Sequence, residues 1–139
     1  MKNTKILIGF LVIFISASYC GENASTQAEP INEISVTEFS NTFKNETGIK
    51  VLDVRSPQEY AEGHVPGAVL FPLQDLQSQG EAAASNIPFS KEDKFYVICR
   101  SGGRSLTATK LLTSMGYKNS INVQGGTSGF IQAGNPVEK

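Results

Sequence analysis

Phe95-Tyr96-Val97-Ile98-Cys99-Arg100-Ser101-Gly102-Gly103-Arg104-Ser105 is the stretch from which the rest of the chain can be read. Its first four residues form a short apolar run of the kind that makes a buried strand. Beyond it, Ala108, Leu111, Leu112 and Met115 fall at i, i+3, i+4 and i+7, one face of a helix over Ser105–Met115 that Gly116 stops. A thiol therefore stands where a strand ends, in a loop with two glycines that opens a helix. Glycines let backbone amides turn inward onto a small guest, and a helix start adds unpaired N–H groups with partial positive charge. Arg100 and Arg104 add two full charges. Such surroundings favour thiolate over thiol and hold an anion. A buried structural cysteine needs neither the cations nor the Gly-Gly turn, so Cys99 is read as a functional thiol.

The 139 residues amount to one domain, 40% apolar and 18% charged, a globular composition. Net charge is -1 and the basic residues are scattered apart from the pair beside Cys99, which excludes a nucleic-acid footprint. One histidine and two cysteines far apart assemble no recognisable zinc site.

Lys2 and Lys5 precede the apolar run Ile6 to Ile15, and small residues Ser16-Ala17-Ser18 follow. A basic start, about ten apolar residues and a small-residue exit make a secretory signal, shorter than the roughly 20 residues of a bilayer span. Residues 1–19 are therefore set aside as a signal peptide. Ala17-Ser18-Tyr19-Cys20 resembles the lipobox of bacterial lipoproteins, with Ala17 where that motif has Leu and Tyr19 where it has a small residue. Cys20 is the lipidation candidate; cleavage after Ser18, leaving a free thiol, is the competing outcome. Residues 20–33 are polar and read as a flexible tether. The expected location is extracytoplasmic, periplasmic or membrane-anchored through an N-terminal lipid. Oligomeric state is left open.

Ser35-Val36-Thr37-Glu38 has the form of a capping box, and Val36, Phe39 and Phe43 share one side of a helix closed by Gly48. Lys50 to Arg55 reads as a buried strand. Ser56-Pro57-Gln58-Glu59 is a second capping box with proline at the favoured first helical position, and this brief helix ends near Gly63. A Gly63-His64-Val65-Pro66-Gly67-Ala68 turn leads to the strand Val69-Leu70-Phe71, a polar helix over Gln74–Gln79 and an ambiguous Ala82–Asn86. Ser120-Ile121-Asn122-Val123 is a last strand, followed by Gly125-Gly126 and a short terminal helix. Strands alternating with helices, and apolar more than alternating, predict an open parallel sheet covered on both faces. Ligands bind beyond the carboxyl ends of such strands, where Asp53-Val54-Arg55 and Cys99 both fall.

Four segments, in order and at its usual spacing, resemble the rhodanese-like domain. They are Asp53-Val54-Arg55 with Glu59-Tyr60; Gly63 to Ala68; Cys99 to Ser105; and Val123-Gln124-Gly125-Gly126. The resemblance spans roughly 34–136, leaving 137–139 as a tail, and has Phe130 where the family usually has Trp. It implies a three-layer α/β sandwich around a five-stranded, mostly parallel sheet, and sulfurtransferase activity without a cofactor or metal. The family's active-site cysteine maps onto Cys99 and its substrate-cradling loop onto Arg100, Ser101, Gly102, Gly103 and Arg104. Implied partners are a small anionic sulfur donor such as thiosulfate and a cyanide or thiol acceptor.

The residues suit that chemistry in their own right. A thiolate approaching a dianion is repelled unless fixed positive potential offsets the repulsion, and Arg100, Arg104 and the loop amides would supply it. The four residues between Cys99 and Arg104 match sulfurtransferases; the related phosphatases and arsenate reductases have one more. Those, and a non-catalytic sulfur carrier or docking module, are the alternatives. Asp53 and Arg55 are supporting residues that either brace the loop or solvate a strand end, and Arg55 and Glu59 are spaced to form an ion pair. Ser105 either caps the helix, the default, or donates to sulfur. His64 is read as a hydrogen-bonded structural part of its turn.

Overall fold

The computed structural model describes residues 29–139; the stretch read as a signal peptide, Cys20 and the segment read as a tether as far as residue 28 lie outside the described residues. Along the chain run β1 (Asn32–Ser35), α1 (Val36–Asn45), β2 (Val51–Asp53), α2 (Pro57–Glu62), β3 (Val69–Leu70), α3 (Leu73–Gln79) and α4 (Glu81–Ala84). Next come β4 (Phe95–Ile98), α5 (Gly103–Ser114), β5 (Ser120–Gln124) and α6 (Gly126–Gln132). The strands form one five-stranded sheet in the order β1-β5-β4-β2-β3, every pairing parallel.

Period-two alternation builds the two faces. Along β4, Phe95, Val97 and then Cys99 join Leu52, Val54, Leu76 and Leu112 on the face covered by α3, α4 and α5. Tyr96 and Ile98 point the other way and join Val51, Val123, Phe39 and Phe130 under α1 and α6. Phe130, at the position where the resemblance leads one to expect Trp, is fully buried against Phe39 and Phe43, ring centroids 5.7 and 5.3 Å away. Both faces are closed, and the reactive end of β4 emerges between them.

Both capping boxes form. Ser35 Oγ accepts from the Glu38 amide at 3.2 Å and Ser56 Oγ from the Glu59 amide at 3.2 Å, each glutamate accepting in return from its serine's N–H. Several boundaries differ from the sequence reading, β2 covering only Val51–Asp53 of the strand read over Lys50 to Arg55. α1 ends at Asn45, three residues before Gly48; α5 starts at Gly103, not Ser105, and ends at Ser114; and the ambiguous alanine run begins as α4. One strand, β1, is additional to the four read from apolar runs and starts at Asn32, inside the segment 20–33 assigned to the tether. Asn32-Glu33-Ile34-Ser35 has a single large apolar residue, so no periodicity marks it. It forms because β5 offers a free edge and because Glu33 accepts from Asn122 Nδ2 at 2.8 Å and Gln124 Nε2 at 3.0 Å.

At the exit of β2 lies a buried ion pair. Asp53 is fully buried and Arg55 is 6% exposed. Arg55 Nε and Nη2 donate to the carboxylate at 2.9 and 2.7 Å, its amide adds a bond of 3.0 Å, and Nη2 also reaches the Gly63 carbonyl at 2.9 Å. The pair thus ties the end of β2, the strand beside the central β4, to the turn after α2. Asp53→Ala would strand the guanidinium in a dry site. A stability loss of about 3–5 kcal/mol in urea unfolding is expected; a loss below about 1 kcal/mol, the scale of an exposed pair, would contradict this role.

Candidate active site

Cys99 directly follows β4 and is 1% exposed, packed in the same apolar cluster as Val97, Ala108 and Leu112. Hydrocarbon alone would keep its thiol protonated. Its sulfur, however, accepts a hydrogen bond from the Gly102 amide at 3.1 Å and from Ser105 Oγ at 3.3 Å. Burial pushes the Cys99 thiol up; the Ser105 hydroxyl and the amides of Ser105, Gly102 and Ser101 together exceed that effect and bring it below its ordinary value.

Those amides face inward because the carbonyls beside them are held outward. The β5–α6 turn donates three bonds to the loop: Thr127 N–H to Cys99 O at 2.8 Å, Ser128 N–H to Arg100 O at 3.1 Å, and Gly125 N–H to Ser101 O at 3.2 Å. In a planar trans peptide the carbonyl and the next N–H point in opposite directions. Fixing the Arg100 and Ser101 carbonyls on the turn therefore aims the Ser101 and Gly102 amides at the sulfur. The approach is close enough to demand glycine. At Gly126, φ is +57° and an added Cβ would clash with the Cys99 carbonyl oxygen and lie 2.6 Å from the Arg100 carbonyl carbon and oxygen. Gly102, at φ +108°, would place a Cβ 3.2 Å from the Gly125 nitrogen. Gly103 has no such constraint: an added Cβ meets nothing within 4 Å.

The charges are distributed differently from the sequence expectation. Arg55 and Glu59 do not pair; Arg55 is taken by Asp53, and Glu59 grips Arg104. Nη1 and Nη2 of Arg104 donate to the two Glu59 oxygens at 2.7 Å each. The Arg104 guanidinium, ahead of an opposing effect of burial, holds the Glu59 carboxyl at about 2. Arg104 is thereby neutralised, and Arg100, exposed and without an ion pair among the described residues, is the loop's uncompensated cation. Ser105 is not the helix cap, which is Gly102; its hydroxyl lies between Cys99 Sγ and the Gly102 carbonyl, the latter at 3.1 Å. His64 stacks on Tyr60 with centroids 3.6 Å apart, and its Nδ1 sits 2.9 Å from the Tyr60 carbonyl, a structural placement.

Two clefts open beside the loop. One, of about 280 Å³, is bounded by Arg100, Thr127, Ser128 and Ile131; the other, of about 490 Å³, lies between the β2–α2 turn and α3 and reaches Arg104. Glu59 and Gly126 are the residues that sequence reasoning missed. The capping box already explained Glu59, which concealed its second partner 45 positions on. Gly125-Gly126 was readable as a tight turn, but its contact with Cys99 is made only by the fold. Among the described residues no group of acidic, histidine and cysteine side chains is arranged to hold a metal ion.

Comparison with known proteins agrees with this architecture. The sequence profile of the Rhodanese-like domain matches residues 35–133. YrkF of Bacillus subtilis, whose name marks it as a candidate sulfur carrier protein, is 35% identical over 103 residues, 74% of this chain and 52% of YrkF. The chain thus spans about half that relative's length. A sulfurtransferase of Allochromatium vinosum is 30% identical over 107 residues, covering 77% of this chain and 94% of the relative. The human single-domain sulfurtransferase TSTD1 superposes with a TM-score of 0.61 at 28% identity, over 74% of this chain and 97% of the human one. With its parallel sheet, its thiol at the end of β4 and a profile match over most of its length, the chain belongs to the rhodanese-like domain family.

Proposed function

We propose that this chain is a sulfurtransferase that takes the outer sulfur of a thiosulfate-like donor onto Cys99 and passes it to cyanide or a thiol. One observation carries the reading: a buried sulfur on which the Gly102 amide at 3.1 Å and the Ser105 hydroxyl at 3.3 Å converge. The Cys99 thiolate attacks the outer sulfur of the donor. A Cys99–sulfur bond forms, the donor's sulfur–sulfur bond breaks, and its electron pair leaves on sulfite, so the step balances without an external oxidant. Negative charge passes from the Cys99 sulfur to the outer sulfur, which the same inward amides stabilise as persulfide. Arg100 supplies the charge that draws the dianion to the mouth of the loop. Transfer to an acceptor reverses the geometry and restores the thiolate.

The leader completes the proposal: the domain works outside the cytoplasm, tethered through a lipid on Cys20. Metabolic labelling with a fatty acid is expected to mark the wild type and not Cys20→Ser; labelling that persists in the variant would refute the anchor.

Incubation with thiosulfate should add one sulfur to the intact mass, an adduct removed by cyanide and absent from Cys99→Ser. Phosphate-ester turnover with no adduct would overturn the assignment. Arg100→Ala should slow loading on the order of tenfold at unchanged melting temperature, less than a buried oxyanion donor would because the side chain is exposed. Parallel losses of activity and stability would count against its role.

The loading rate should fall with acid in one step, through the lowered pKa of Cys99, because protonation removes the nucleophile. Glu59 stays ionised down to about 2, so no second inflection is expected near the ordinary glutamate value of about 4.3. An inflection there would mean that the Arg104 pair is not intact.

A further inference from the structure

The cleft of about 490 Å³ falls in the size range of small-molecule sites, and cyanide, a diatomic, has no body to fill it. Its floor includes Val54 and Leu73, members of the apolar cluster that also holds Cys99, and its rim reaches the start of α5 just beyond the Cys99 loop. Gln74, Asp75 and Gln77 of α3 line it, with Arg104 at the loop. Charge decides what it would hold. Both of its arginines are already matched, Arg55 by Asp53 and Arg104 by the ionised Glu59. Asp75 is half-buried and makes no ion pair among the described residues. The uncompensated charge of this cleft is therefore negative, whereas the cleft on the other side holds both Arg100 and Glu62, neither in an ion pair among the described residues. One loop thus separates a cleft whose one unpaired charge is a carboxylate from a cleft that also offers a free cation.

We propose that the Asp75 cleft is the acceptor subsite and that it selects small aminothiols, whose protonated amine pairs with Asp75, over thiols bearing a carboxylate. This rests on the sulfurtransferase reading above. In the step concerned, the acceptor thiolate attacks the outer sulfur of the Cys99 persulfide. A new sulfur–sulfur bond forms on the acceptor, the bond to Cys99 Sγ breaks, and the electron pair returns to Cys99 as thiolate. Attacker and target are both anionic, so an ammonium carried by the acceptor lowers their repulsion while Asp75 holds it in place. Gln74 and Gln77 offer amide donors and acceptors to the rest of the acceptor body.

The test uses the full chain loaded from thiosulfate, with cysteamine and 3-mercaptopropionate as acceptors and the ratio of their kcat/KM values as readout. Comparing that ratio between wild type and variants cancels the intrinsic reactivities of the two thiols. In Asp75→Asn the ratio should fall about three- to fivefold, mainly through KM, the scale of one partly exposed charge pair. Gln77 is exposed and tolerates charge, so Gln77→Lys gives a second variant in which the ratio should also fall. An unchanged ratio in both variants, with the sulfur adduct still forming on Cys99, would overturn the acceptor subsite and leave the sulfurtransferase reading standing. Absence of the adduct in the wild type would overturn both.

Discussion

Three backbone hydrogen bonds from the β5–α6 turn to the carbonyls of Cys99, Arg100 and Ser101 are the constraint on which the site depends. They convert a loop whose amides have no intrinsic preference into a ring aimed at one sulfur. Peptide planarity does the conversion: with the Arg100 and Ser101 carbonyls drawn out to the turn, the Ser101 and Gly102 N–H groups are directed in. The sheet order makes this possible. β5 lies beside β4, so the turn that leaves β5 arrives next to the loop that leaves β4, and Gly126 allows the two backbones to meet. The sulfur is buried, yet the environment that buries it also carries the donors that bring its pKa down.

The electrostatics follow an economy of pairing. Of three arginines at the carboxyl ends of the strands, two are committed to structural carboxylates. Asp53 with Arg55 closes the end of β2, and Glu59 with Arg104 joins the start of α2 to the start of α5. Both pairs fix geometry while adding almost no net field. What remains unpaired among the described residues is Arg100, with the exposed Glu62, on one side of the loop and Asp75 on the other. A donor that is a dianion and an acceptor that carries an ammonium would meet the thiol from different directions.

Much of this was legible in the sequence where the controlling forces are local. The apolar run of β4, the two capping boxes and the Gly-Gly loop each act over a few residues, and each appears where it was read. The edge strand β1 was not legible, because its stability comes from β5 and not from its own apolar content. Pairing between charges also escaped. Spacing suggested Arg55 with Glu59, but both side chains find better geometry elsewhere: Arg55 in a fork on Asp53 two residues back, Glu59 on an arginine brought to it by the fold. Ser105 illustrates the same limit. Helix-cap statistics favour a serine near a helix start, whereas the helix begins two residues earlier on glycine and frees that hydroxyl for the sulfur. Relations across the sheet are set by topology, and topology came from the alternation of elements and the family resemblance more than from any single pair.

The most direct measurement is a titration of thiolate ultraviolet absorbance against pH, in a Cys20→Ser background so that Cys99 alone reports, with and without Gly126→Ala. If inward amides ionise the sulfur, the midpoint lies below the ordinary thiol value of about 8.5 and rises when the alanine methyl pushes the turn away from the Cys99 and Arg100 carbonyls. A midpoint at or above that value, or one that a folded Gly126→Ala protein leaves unmoved, would contradict it.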